Sequence, residues 1–159
     1  NQIRLGDTIT AAGCTGVVES VNLRTTVLRD TDGTTHIIPN SAITVVTNAT
    51  RDFSRALLDV SVGYKEDTDR ALMILREVGS ALEKDPVFGK KIIGSFEYPG
   101  LQAFGDSSIV LRMVAKTFPQ DGPAVQRELR RRVKQAFDKA GIEIPYPHLR
   151  IVTDKGQTP

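Results

Sequence analysis

The sequence predicts an α+β chain in which a small all-β unit precedes a unit of strands and helices. Two observations carry this. Over residues 1–50 β-branched side chains are dense, glycines recur at short intervals, and no helical period survives more than one turn. From Arg55 onward, alternating apolar runs give way twice to apolar residues spaced three and four apart, the period of an amphipathic helix.

In the first unit, strands are expected over Asp7–Ala11, Val17–Arg29, Thr34–Ile38 and Ile43–Thr47. Asp32-Gly33 separates two apolar runs and predicts a primed hairpin turn, which needs positive φ and therefore Gly. Gly6, Gly13 and Gly16 are read as further structural turns. A segment as long as Val17–Arg29 must bend strongly to stay on so small a sheet, and a compact Sm-like barrel over 1–50 is the expected result. In the second unit, 51–159, Leu58, Val60, Val62 and Tyr64 alternate with Asp59, Ser61 and Gly63 as a strand with one apolar face. Asp67 is placed to cap a helix carrying Ala71, Leu72, Leu75, Val78, Ala81 and Leu82, ending at Asp85-Pro86. Strands over Ile93–Phe104 and Ser107–Thr117 follow, joined at Gly105-Asp106. A second helix starts at Asp121-Gly122-Pro123, carries Val125, Leu129, Val133, Ala136, Phe137 and Ala140 on one face, and stops at Gly141. A last strand over Leu149–Thr153 completes a ferredoxin-like β-α-β-β-α-β order. The units join near Asn48–Arg55.

Composition narrows the function. The apolar runs fall far short of the ~18–20 residues of a membrane span. Asn1 leads directly into Ile3, Leu5 and the Gly6-Asp7 turn, so these residues hold no secretory leader and the N-terminus reads as an internal cut. A lone cysteine, Cys14, excludes an internal disulfide and fits a reducing, cytosolic compartment. The thiol lacks a neighbouring base, and His36 and His148 lack metal-site spacing, so no catalytic, cofactor or metal site is expected. Net charge is +2. Residues 1–51 balance four basic groups against four acids, while Gly122–Ala140 holds six basic residues against two acids. Arg130, Arg131 and Arg132 form the densest basic group, but consecutive helical positions fan over about 300° and cannot all face one ligand. The rival reading is an Sm-like or ferredoxin-like nucleic-acid-binding module. The neutral β unit, the absence of Trp and the aromatic-poor strand Ile109–Lys116 oppose it.

Several stretches, taken in order, resemble one family. Leu5-Gly6-Asp7-Thr8-Ile9, Gly16-Val17-Val18-Glu19, Leu23-Arg24-Thr25-Thr26-Val27-Leu28-Arg29 with Asp30 and Asp32-Gly33, and Ile37-Ile38-Pro39-Asn40 resemble the middle β domain of the small-conductance mechanosensitive channel (MscS) family. Val60–Tyr64 with Asp67, and Ala140-Gly141-Ile142-Glu143-Ile144-Pro145-Tyr146-Pro147, resemble its α/β domain. Ser41 follows Asn40 where the family often has glycine. The resemblance implies a soluble cytoplasmic vestibule of an osmotic-release channel at the inner membrane, not an enzyme. It implies transmembrane helices before Asn1, the last lining a pore, and a homo-oligomeric ring, usually a heptamer. The β domains would form a collar, and the α/β domains a cage through whose side openings ions and small solutes reach the pore. On that reading Pro39, Asn40 and Ser41 make a strand-end turn or a pore-helix contact, the two roles being compatible, and Arg51, Asp52 and Arg55 border a portal.

Overall fold

The computed structural model describes residues 3–147. Five strands, β1 (Thr8–Ala11), β2 (Cys14–Val21), β3 (Thr25–Arg29), β4 (Thr35–Pro39) and β5 (Val46–Asn48), make an antiparallel sheet of order β4-β3-β2-β1-β5. Alternation sets the inner face: Ile9, Ala11, Val18, Leu28 and Ile38 are buried together, with Ile3, Cys14, Ile43 and Val46 packed against them.

The expected single strand Val17–Arg29 is instead the antiparallel pair β2–β3, with a register shift between Val18 and Ser20 and a tight turn at Asn22–Arg24. Asn22 N–H donates to Thr25 O (2.8 Å) across that turn. The turn holds no Gly or Pro, and its shape comes from Asn40, the residue that follows β4. The primed turn also lies elsewhere. Ala12 (φ 48°) and Gly13 (φ 78°) are the two positive-φ residues between the paired Ala11 and Cys14, the pattern of a two-residue I′ hairpin. At Asp30–Thr34 only Gly33 has positive φ (87°). Gly33 N–H donates to Asp30 O (3.2 Å), while Asp30 Oδ1 accepts from Asp32 N–H (3.0 Å) and Thr34 N–H (2.8 Å). That is a longer loop built on an Asp side chain. Gly16 is not a corner: it lies inside β2, where a Cβ would stand 2.6 Å from Arg29 O.

The second sheet holds β6 (Ser54–Val62), β7 (Glu97–Phe104) and β8 (Ile109–Thr117), antiparallel in the order β6-β8-β7. Helices α1 (Thr68–Glu83) and α2 (Gly122–Ala140) bury Ala71, Leu75, Val78, Leu82 and Val125, Leu129, Val133, Phe137 in one core with Ala56, Leu58, Val60, Val62, Leu111, Met113 and Ala115. Asp67 caps α1, accepting from Asp69 N–H (2.9 Å) and Arg70 N–H (3.2 Å). Gly141 closes α2 at φ 68°. Gly79 lets α1 approach β7, since a Cβ there would collide with Tyr98 Oη and lie 3.2 Å from Phe96. The expected strand from Ile93 pairs with β8 first through Ile93 N–H to Lys116 O (2.7 Å), and becomes β7 only at Glu97. The α+β architecture is as expected. The proposed last strand, Leu149–Thr153, falls outside the described residues.

Candidate functional site

Two places bring the sequence-selected residues into register with one another. The first is the end of β4. Pro39 is its last residue, paired with Thr25 across the sheet, and Asn40–Ala42 form a 3-10 turn that includes exposed Ser41. Asn40 N–H donates to Arg24 O (2.8 Å). Its side-chain amide donates to Asn22 O (2.9 Å) and Leu23 O (3.2 Å), and its Oδ1 accepts from the hydroxyl of buried Thr26 (2.9 Å). One residue, through its side chain and its own N–H, thus grips the whole β2–β3 turn by its backbone. Leu23, 98% exposed, stands at the tip, and Val21 and Leu5 are exposed nearby, around an open concavity that Arg4 and Asn22 also line. Local sequence offers no sign of these partners, which lie 14 to 18 residues from Asn40.

The second place is the junction of the two sheets. Asn48 Nδ2 donates to Asp7 Oδ2 (2.7 Å), Thr50 Oγ1 accepts from Thr8 N–H (2.9 Å), and Ala49 N–H donates to Thr8 O (3.0 Å). The junction is therefore fastened to the first sheet as far as Thr50. Phe53 N–H then donates to Arg51 O (2.8 Å) around Asp52 at φ 66°, a γ-turn of the rare positive-φ kind. Arg51 Nε lies 3.9 Å from Asp52 Oδ2. Arg55, in β6, pairs across the sheet with Lys116, whose ammonium sits 4.1 Å from the Phe53 ring centroid. Of the three charged residues selected from the sequence, Arg51 and Asp52 thus face each other at the γ-turn, while Arg55 lies on β6 opposite Lys116.

The guanidinium row on α2 is largely occupied within the chain. Arg131 chelates Glu128 (2.9 and 2.5 Å), and Arg132 bridges Glu128 (2.7 Å) and Asp85 (2.5 Å). The Arg131 hydrogen bonds, seconded by Arg132, hold Glu128 down to about 2. Phe88 and Val87 N–H, together with Arg132, do the same for Asp85, also to about 2. Arg130 points to solvent. On the sheet, Arg112 chelates Asp59 (2.6 and 2.8 Å) and lowers its carboxyl. Burial pushes the Tyr98 hydroxyl up to about 12. His36 contacts Asp30 (3.2 Å), while Cys14 is a free, half-buried thiol. Among the described residues no group of His, Cys, Asp or Glu is placed to hold a metal, and no helix is long and apolar enough to cross a membrane.

Comparison with known proteins follows the same division. Residues 1–51 match the family described as "Mechanosensitive ion channel, beta-domain", and residues 56–144 match "Mechanosensitive ion channel MscS, C-terminal". A small-conductance mechanosensitive channel of Caldanaerobacter subterraneus is 34% identical over 99% of this chain and 55% of its own length. The moderate conductance mechanosensitive channel YbiO of Escherichia coli is 30% identical over 100% of this chain and 22% of its own. The crystal structure of Helicobacter pylori MscS in its closed state superposes with a TM-score of 0.80 at 29% identity, covering 97% of this chain and 60% of that one. The chain spans about half the length of the first of these relatives, and less of the second.

Proposed function

The chain belongs to the MscS family of mechanosensitive ion channels, whose relatives are channels and not enzymes, and from that membership we propose that it is the vestibule region of such a channel. On this reading the unit of 1–50 is a collar beneath a pore formed by segments preceding Asn1, and the unit of 51–159 is one wall of a hollow cage. Copies assemble as a ring, a heptamer, at the cytoplasmic face of the inner membrane. Solutes enter beside the junction, where Arg51 and Arg55 outnumber Asp52 and bias ion traffic. Pro39, Asn40 and Ser41 shape the collar surface that faces the pore helix. The observation that carries the reading is the co-linear match of both family regions to two separately cored sheets, over nearly the whole chain.

The test is electrical. The full-length protein containing this region, reconstituted in liposomes and patched, is expected to pass stepwise currents under suction. The 159-residue chain alone is expected to pass none. Silence of the full-length protein up to the tension that ruptures the patch, or steps from the isolated chain, would overturn the proposal. Electron microscopy of the full-length protein decides the ring: a strict dimer, or a ring closed beside residues 48–55, refutes the assembly and portal assignments.

A further inference from the structure

The two units are joined by more than the covalent link. Phe118 O accepts from Asp121 N–H (3.2 Å), with Pro119 and Gln120 between them, and Gln120 has φ 70°. Pro first and positive φ second is a type II turn, whose second central position belongs by preference to Gly or Asn. A glutamine held there carries backbone strain, and such residues persist only where their surroundings fix them. Here the side chain gives the reason. Gln120 Nε2 donates to Gly6 O at 2.6 Å, across 114 residues and from the second unit to the first.

Both ends of this bond are stiff. The glutamine turn is tied to its own unit by Phe118 N–H to Lys91 O (3.1 Å) and by the Lys91–Asp121 ion pair (3.0 Å). Gly122 lies so close to Ser54 that a Cβ would stand 2.8 Å from its hydroxyl. Gly6, at φ 85°, is tied to β2 through its N–H to Val18 O (2.9 Å). Between the two anchors, the backbone passes through the γ-turn at Asp52, the other strained non-glycine of the junction. A single strained residue in the link and one hydrogen bond beside it form a hinge with a latch.

We propose that the Gln120–Gly6 hydrogen bond is a conformational latch that selects one orientation of the second unit about a hinge at Asp52. When it opens, the second unit swings on the link at Arg51–Phe53. Gly6 directly follows Leu5, so the latched carbonyl belongs to the segment through which anything upstream enters the first sheet. In the ring proposed above, the latch fixes the angle between collar and cage. That consequence rests on the channel reading, whereas the latch itself does not.

The experiment measures distance in the 159-residue chain. Nitroxides are placed at Thr31→Cys on the first unit and Lys139→Cys on the second, both exposed, in a Cys14→Ser background. Pulsed electron–electron distance measurement is expected to give one narrow distribution when Gln120 is present. Gln120→Glu keeps the size but removes the donor, and Gln120→Gly removes the side chain while suiting the turn. Both are expected to broaden the distribution, the population outside the main peak rising by a factor of roughly five for one lost hydrogen bond. The thermal midpoint of Gln120→Gly should not fall, which separates an open latch from a damaged fold. A distribution of unchanged width in either variant overturns the proposal. The measurement needs no membrane and no current, so a silent full-length protein would sink the channel reading and leave the latch standing, and the reverse also holds.

Discussion

Replacing Asn40 by Ala should loosen the first sheet far more than a surface substitution normally does. The side chain makes three hydrogen bonds, two as donor to the carbonyls of Asn22 and Leu23 and one as acceptor from Thr26. The carbonyls lie at an exposed turn and water can replace their partner, so each loss costs about 0.5–1 kcal/mol. Thr26 is only 2% exposed, and its hydroxyl has no such recourse. Stranding it costs about 1–3 kcal/mol, giving roughly 2–5 kcal/mol in total. The assay is native-state exchange of the Val18 amide, which donates to Asp7 O (2.8 Å) beneath the same sheet. A loss of that size accelerates exchange by roughly thirtyfold or more. Thr26→Val in the Asn40→Ala background removes the stranded hydroxyl and should recover part of the loss, about 1 kcal/mol of coupling in a double-mutant cycle. A change below about 0.5 kcal/mol, the range of ordinary surface substitutions, or additivity of the two, would refute the reasoning.

Three further outcomes are expected. Gly79→Ala should destabilise the second unit by about 1–3 kcal/mol in thermal melts, because its Cβ meets Tyr98 Oη, and Tyr98→Phe should rescue it by removing that oxygen; a silent Gly79→Ala would mean that α1 can slide. Gly33→Val should cost about 1–3 kcal/mol, since a β-branched residue resists the φ of 87° found there, and an unchanged midpoint would dismiss the loop geometry. Glu128 and Asp85 titrate at about 2, below their ordinary values of 4.5 and 3.8, so the stability they contribute is present above those values and is lost as pH falls toward 2. Melting temperature should therefore drop between about pH 5 and 2, and more shallowly in Arg132→Met; identical slopes would show that the network does not couple to folding.

Where the sequence could be read, the signal lay within one element. Asp67 followed by Ala71, Leu75, Val78 and Leu82 fixes both the start and the buried face of α1, and Gly141 fixes the end of α2. Where it misled, the deciding contact was distant. Val17–Arg29 reads as one strand because nothing between Asn22 and Arg24 interrupts a β pattern, and the turn exists because Asn40 supplies donors for two carbonyls and an N–H for the third. Asp32-Gly33 reads as a primed turn by composition, whereas Asp30 accepts from two N–H groups and imposes a longer loop. Gly16 reads as a corner, yet what it supplies is space beside Arg29 O. At the junction, Arg51, Asp52 and Arg55 are visible as charges, but the γ-turn at Asp52 and the reach of Gln120 to Gly6 depend on how two units meet. Pro119-Gln120 carried a faint signal, a Pro-led turn without the glycine its shape prefers.

The grip of Asn40 on the β2–β3 turn runs entirely through main-chain atoms of Asn22, Leu23 and Arg24. A loop held by its carbonyls is indifferent to the side chains it displays. Residues 23 and 24 can therefore be rewritten, to another apolar pair, to charges or to a grafted recognition dipeptide, while the loop keeps its path. Nature or an engineer can retune what this tip touches without redesigning what supports it, provided that position 40 stays an amide.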